Sequence, residues 1–369
     1  MKGRMFVVNS DTLTSTTTSM IASIVTPKPT GEKWLSTISD IMADMLQIEI
    51  GDYIFLWETS SESQKSRIHG VYRAISKPYY ECTSAKDTAP FKIHIEKAYD
   101  FENPIDEYDV LNCPYIKNSM WTIVGKKVKG KSRGTSPLSQ DEVKNLITLL
   151  IGKNPNYSFV KFDETRCIDV AKPLSVDYSK KGKNTKPKSL STMHPNDLFF
   201  FNEVGNVYYE KIIETVLNLE MTNKNKMLFE QIGIDVDKVV WYSNYLPYSI
   251  EQSEMDYVIV ESDDGFTATK IYLLELMVPQ IDESHIKRTL MYSKWLNDTL
   301  ALGTNFVQPI LIAGQCYDFI NGETDGRKID SFKKRKTIIE ENEAKYGLHP
   351  MKIYQYDFSG LSPAFIRKR

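Results

Sequence analysis

The 369-residue sequence has only four cysteines, Cys82, Cys113, Cys167 and Cys316, with no CxxC pair and no histidine at zinc-ligand spacing. That argues against a structural zinc site or a disulfide framework. No apolar run approaches the roughly 18 residues that span a bilayer, and the opening MKGRMFVVNSD lacks the long apolar stretch of a secretory signal. A soluble, cytoplasmic protein is therefore expected. The phosphate loop GxxxxGKS/T is missing, which argues against an NTP-driven motor, and so is the GxSxG elbow of serine hydrolases. His69, His94, His194, His285 and His349 are scattered without an HxxxH pair. Charge is nearly balanced, with 46 Lys and Arg against 48 Asp and Glu, so a polyanionic partner has to meet a local basic patch.

Hydrophobic residues make up 41% and charged residues 25%, ordinary values for a globular chain, and the length suits two to three domains. The clearest change of composition is AKPLSVDYSKKGKNTKPKSLSTMHPND, residues 171–197, rich in Lys, Ser and Pro and poor in large aliphatics. It reads as a basic linker between domains at 1–170 and 198–369. Before it, short apolar runs such as MFVVNS, DYIFLWE, GVYRAI and FKIHIEKAY predict strands, with helices over 33–46 and 141–151. After it, helices and strands alternate: a helix over 207–219, strands KVVWYSNYL, MDYVIVES and KIYLLELMV, a helix over 284–300, the strand FVQPILIAG, a helix over 331–346 and the strand MKIYQYDF. The expected classes are α+β for the first part and α/β, with a mixed sheet flanked by helices, for the second.

In the second part, a turn at Asp263, Asp264 and Gly265 joins two strands, with Asp256 at the start of the first and Glu275 near the end of the second. Period-2 alternation puts Glu275 on one face with Met277, and Leu274 and Leu276 on the other. A carboxylate in so apolar a strand needs a partner or a metal. Two such acids have the chemistry to hold Mg²⁺, which takes one or two carboxylates plus water and can drive phosphodiester hydrolysis.

The order helix, hairpin, helix, strand, with Asp on the first hairpin strand and Glu on the second, resembles the PD-(D/E)XK nucleases over residues 202–358. The resemblance implies Asp256 and Glu275 as ligands of Mg²⁺ or Mn²⁺. Met277 stands where that family carries its lysine, and Lys287 on the next helix is the candidate replacement, with Gln280 as a weaker polar alternative. Lysine there would position water or stabilise the transition state. Of Glu203, Glu210 and Glu214 on the preceding helix, Glu210 is the choice for the family's additional acid. Arg288 stands four residues before Tyr292, where the family carries a Gln, and is taken as a nucleic-acid contact.

In the first part, Trp57 at a strand end has the chemistry to stack on a base, and Trp121 precedes the cationic run Lys126, Lys127, Lys129, Lys131 and Arg133 beside Gly-rich backbone and a helix start. Phosphate contact is the natural reading. GDYIFLW, GVYRAISKPYYE and KSRGTSPLSQDE together resemble the EVE and YTH branch of the PUA-like superfamily over residues 5–150. The resemblance implies a small β-barrel that takes a flipped, modified base between aromatics such as Trp34, Trp57 and Tyr79.

The two resemblances together imply a modification-dependent restriction endonuclease acting on double-stranded DNA with Mg²⁺. Cutting both strands calls for two active sites, hence a homodimer. The alternatives are a catalytically silent nucleic-acid-binding sensor, which Met277 favours, and a sequence-specific type II restriction enzyme reading unmodified DNA.

Overall fold

The computed structural model describes residues 2–26, 32–60, 65–81, 89–113, 134–170, 188–190, 210–248, 253–265, 267–300, 307–357 and 363–369. The chain forms two compact units, Met1–Met193 and His194–Arg369. Both are mixed α+β units, each with its own mixed sheet.

The first unit runs β1 (Gly3–Val8), α1 (Ser10–Ser19), β2 (Ile21–Ile24), α2 (Glu32–Leu46), β3 (Tyr53–Glu58), β4 (Arg67–Ala74), β5 (Tyr79–Tyr80), β6 (Phe91–Tyr99), β7 (Ile105–Asp106), α3 (Glu107–Asn112), β8 (Thr135–Leu138), α4 (Gln140–Lys153) and β9 (Lys188–Ser189). Its sheet has the order β8-β1-β3-β4-β6-β5-β9, with β2 added on β6 and β7 on β4. β1 and β3 pair in parallel; the other pairs are antiparallel. β3 lies between β1 and β4 and is buried along its whole length. That placement corrects the reading of Trp57 as an exposed strand-end aromatic. Trp57 is 5% exposed and packs with Met5, Phe55, Val71, Leu146 and Leu150 in the core. A strand with neighbours on both sides and both faces covered carries no alternation to mark which side chains are free.

α1 is built from SDTLTSTTTS, a sequence of weak helix formers. Its start is fixed by a reciprocal cap, in which Thr12 N–H donates to Asn9 Oδ1 at 2.8 Å and Asn9 N–H to Thr12 Oγ1 at 2.7 Å. Thr14, Thr17 and Ser19 donate their hydroxyls to carbonyls one turn back, which satisfies them without a tertiary partner. Within the stretch expected as linker, β9 pairs with β5 and Leu190 is fully buried.

The second unit runs α5 (Glu210–Thr222), α6 (Lys226–Ile232), β10 (Val239–Tyr248), β11 (Ser253–Ser262), β12 (Ala268–Gln280), α7 (Glu283–Thr299), β13 (Val307–Gln315), α8 (Ile329–Tyr346), β14 (Lys352–Asp357) and β15 (Ala364–Arg367). The six strands lie in chain order, β10 to β15. The β12–β13 and β13–β14 pairs are parallel and bridged by α7 and α8; the rest are antiparallel. Gly265, at φ +77°, closes the β11–β12 turn, and Asp264 holds it by accepting from Ser262 Oγ at 2.8 Å and Thr267 N–H at 2.6 Å.

The sheet's two faces are told apart by their contacts. On one, Tyr257 donates its hydroxyl to Asn218 of α5 at 2.6 Å, and Asn244 Nδ2 donates to Glu214 of α5 at 3.3 Å. On the other, Met277, Leu311, Ala313 and Ile353 pack with Ile286 and Leu290 of α7 and Ile339 of α8.

α7 starts at Asp282, which accepts from His285 N–H at 2.9 Å and from Ser284 Oγ at 2.7 Å. Against the desolvation that opposes it, these donors and the His285 ring pull the Asp282 carboxyl down to about 2. Asp282→Ala is expected to cost about 1 kcal/mol, read as a lower urea midpoint for the second unit at neutral pH.

Candidate functional site

The site begins where the central antiparallel pair divides. β11 and β12 are paired from Ser262↔Ala268 to Tyr257↔Leu274. Past that point β11 stays with β10, as far as Ser253↔Tyr248, while β12 stays with β13, as far as Gln280↔Gln315. At the fork the two strands lose ladder partners, and buried backbone donors need acceptors. Asp256 and Glu275 supply them. Leu276 N–H donates to Asp256 Oδ2 at 2.8 Å, and Asp256 N–H donates to Glu275 Oε1 at 3.2 Å. The two carboxylates expected to converge do so, side by side, at the point where the sheet opens.

Glu275 is fully buried and Asp256 is 8% exposed. Burial, then the Asp256 charge beside it, drives the Glu275 carboxyl well above the usual carboxylate range, and Arg288 only partly opposes this. Arg288 reaches Glu275 Oε2 with Nε at 3.2 Å and Nη2 at 3.1 Å. Its guanidinium also lies 5.9 Å from the centre of the Tyr292 ring, whose hydroxyl burial pushes up to about 12.

This geometry changes the reading of the neighbouring residues. Lys287, expected to face the carboxylates, is exposed, and the cation beside Glu275 is Arg288. The reason is helical phase: Ile286, Thr289 and Leu290 are the buried face of α7, and position 287 turns to solvent whereas 288 borders the sheet. Gln280 is exposed at the end of β12, and Met277 is 6% exposed in the apolar layer under α7 and α8. Glu210 opens α5, which packs on the sheet face bearing Tyr257 and Asn244, away from the face of Met277. α5 buries Glu214, fully and hydrogen-bonded to Asn244, and near its end Glu220, 6% exposed.

The fork supplies two carboxylates, a donor type that hard divalent cations such as Mg²⁺ take. Among the described residues no group of three or more His, Cys, Asp or Glu forms a cluster able to hold a metal, so a closed zinc-type cage is not built there. Two adjacent carboxylates with the remaining positions left to water fit Mg²⁺ or Mn²⁺. Their mutual repulsion in a buried setting calls for a proton or a cation between them.

In the first unit, Tyr79 is 1% exposed. It stacks on His94 with ring centres 5.3 Å apart, and its hydroxyl and His94 Nε2 are 3.1 Å apart. Burial and then Glu81 raise the Tyr79 hydroxyl, and burial lowers His94. Both rings are thus engaged with each other. Tyr79→Phe is expected to cost about 1 kcal/mol through loss of that bond, measured as a shift of the thermal midpoint. The Trp34 side chain, Trp121 and the basic residues Lys126, Lys127, Lys129, Lys131 and Arg133 lie outside the described residues.

A cleft of about 260 Å³ opens elsewhere in this unit, between α1, β4 and the segment after β6, lined by Thr17, His69, Gly70, Tyr72, Phe101 and Asn103 among others. His69, in its lining, meets the buried Glu58 through Nε2 at 2.8 Å, and Glu58 also accepts from Ser10 Oγ at 2.8 Å. Phe101 stacks on Tyr99 with ring centres 5.1 Å apart, and Tyr157 and Phe159 complete an aromatic cluster that is partly exposed. Gly70 sits at φ +58°, and a Cβ there would come within 2.9 Å of the Tyr72 ring. Gly70→Ala is expected to destabilise by about 1–2 kcal/mol and to displace Tyr72, seen as a change in near-ultraviolet circular dichroism. The residues of this cleft are spread from position 13 to position 104. No local motif announces them.

No protein-family model matches the chain, and no curated protein matches it. Among solved structures, it is similar to a hypothetical protein from Leishmania major at 8% identity and a TM-score of 0.29, over 42% of this chain and 96% of that one. It is similar to protein Atu2648 from Agrobacterium tumefaciens at 12% identity and a TM-score of 0.28, over 44% of this chain and all of that one. It is also similar to human THYN1 protein, solved in complex with DNA containing 5-methylcytosine, at 11% identity and a TM-score of 0.24, over 41% of this chain and 98% of that one. At these scores none of the three fixes a ligand or an activity for this chain. Among the described residues no helix is long and apolar enough to cross a membrane.

Proposed function

We propose that the chain is a Mg²⁺-dependent DNA endonuclease of a restriction or defence system, whose second unit hydrolyses phosphodiester bonds near a modified base selected by the first. The observation that carries the catalytic half is the fork, where Asp256 and Glu275 meet as buried, adjacent carboxylates whose mutual repulsion a shared proton or cation relieves. Mg²⁺ held by these two residues would supply Lewis acidity to the scissile phosphate and to the attacking water. The chain's own residues do the rest. Asp256 and Glu275 are held by the backbone of the opposite strand, and Arg288 brings beside them a positive charge that Met277 cannot supply. The reader half rests on the resemblance of residues 5–150 to EVE and YTH domains, whose PUA-like barrel would take the base. Since Trp57 is core and Tyr79 is tied to His94, the aromatic-lined cleft beside Tyr72 and Phe101 is the better candidate for a ligand than either of them.

A second reading, a binding sensor that does not cut, is favoured by Met277, which is packed as core where a nuclease of this type carries its lysine. One experiment separates the two. The purified protein is incubated with Mg²⁺ on matched duplexes that are unmodified, adenine-methylated or cytosine-modified. Cleavage of one modified class is the expected result. Selective retention of that class without cleavage supports the sensor, and equal cutting of all duplexes removes the modified-base reader.

A further inference from the structure

Arg288 is a feature of the fork that a two-carboxylate metal site does not require, and its contact with Glu275 runs through a single carboxylate oxygen. Both Nε and Nη2 approach the same oxygen, Glu275 Oε2, at 3.2 and 3.1 Å. A structural guanidinium–carboxylate pair typically sets two nitrogens against two oxygens, and the single-oxygen contact forgoes part of that strength. Glu275 Oε1 is already committed to Asp256 N–H and Asp256 Oδ2 to Leu276 N–H. The oxygen under Arg288 is the one Glu275 oxygen that accepts no backbone N–H in these contacts, and a cation shared by both carboxylates would compete with Arg288 for it. The Arg288 side chain is 38% exposed, against 1% for Glu275. Its backbone is fixed, because α7 is anchored by the fully buried Ile286 and Leu290. A head group tethered to a helix so anchored, and more than a third exposed, can swing off that oxygen while the helix stays in place.

We propose that Arg288 is an exchangeable counter-ion of the Asp256–Glu275 pair, seated on Glu275 when no divalent cation is present and released by the cation to grip a phosphate of the DNA. The inference rests on the nuclease reading above, which supplies the cation and the phosphate. The exchange is favourable on charge grounds: a divalent ion carries twice the charge of guanidinium, and a released arginine presents a planar fork that matches a phosphodiester. It also couples the two ligands. DNA that captures Arg288 would tighten cation binding, and the cation would tighten DNA binding by the same factor.

The test is a titration with Mn²⁺ alone, followed by the electron paramagnetic resonance signal of free Mn²⁺, on the full chain and on Arg288→Ala, Arg288→Gln and Glu275→Gln. A parallel titration of a short fluorescent duplex is run with and without Ca²⁺, and thermal midpoints confirm folding. Both Arg288 variants are expected to bind Mn²⁺ at least about fivefold more tightly than the parent, while losing the gain in duplex affinity that Ca²⁺ gives the parent. Equal or weaker Mn²⁺ affinity in both folded variants overturns the counter-ion role and leaves the metal centre standing. A Ca²⁺-dependent gain that survives in both variants overturns the phosphate grip. Mn²⁺ binding that is absent from the parent and both Arg288 variants, or that persists in Glu275→Gln, overturns the metal centre itself and the exchange with it.

Discussion

Asp256→Asn is expected to reduce Mg²⁺-supported cleavage by about 10³-fold or more, since removing one anionic ligand forfeits several kcal/mol of transition-state charge stabilisation. The substitution is nearly isosteric, and the amide oxygen can still accept from Leu276 N–H, so the fork keeps its shape. Thermal stability should be unchanged or higher, because the Asp256 charge is one of the causes that raise Glu275, and relieving a buried like-charge pair favours the folded state. The combination is what distinguishes a site residue from a structural one. Cleavage rate and thermal midpoint measured on the same preparations check it: a loss of activity that tracks a loss of stability would assign Asp256 a structural role.

The second large effect is a dependence of stability on pH in the first unit, carried by Asp52. This residue is 8% exposed in the turn before β3 and accepts from Glu49 N–H at 2.9 Å. Desolvation raises its carboxyl to about 6, against the opposing charge of Lys2 and the Glu49 N–H. A folded-state value above the unfolded one means that the folded protein holds the proton more tightly. The stabilisation is complete below about pH 4 and is lost as pH rises through about 6, a change of about 2–3 kcal/mol at 1.36 kcal/mol per unit. Asp52→Asn keeps an acceptor for Glu49 N–H and abolishes the titration. It is expected to be more stable than the parent by about 2 kcal/mol at pH 7.5 and equal to it near pH 4. Denaturant midpoints at the two pH values give the answer, and a difference that does not change with pH would contradict it.

Much of the second unit is legible in the sequence because its signals are local. The β11–β12 hairpin announces itself by two apolar runs about Asp263–Gly265, and Glu275 stands out as the one acid inside KIYLLELMV. That Asp256 and Glu275 meet follows from the hairpin register, which places position 256 opposite 275 one step beyond Tyr257↔Leu274. Arg288 as the partner of Glu275 is not legible in the same way. It depends on the phase of α7 against the sheet, and a rotation of one position would have brought Lys287 there instead. α6 and β15 are short segments without a periodic pattern of their own, and β15 is fixed by pairing with β14. In the first unit, α1 is hidden because its Ser and Thr residues score as loop formers, and its cap and back-bonded hydroxyls exist only once it is wound. Trp57 is misread for the opposite reason: its neighbours look like an ordinary strand, and only the parallel pairing of β1 with β3 puts it in the interior.

The most direct measurement is anomalous diffraction from crystals of the protein soaked in MnCl₂, with data collected at the manganese edge. A peak within ligand distance of both Asp256 and Glu275, about 2.0–2.3 Å for a hard divalent cation on carboxylate oxygen, is the predicted result. Manganese at other carboxylates, with the fork holding only Arg288 at full soaking concentration, would contradict a catalytic metal centre at this place.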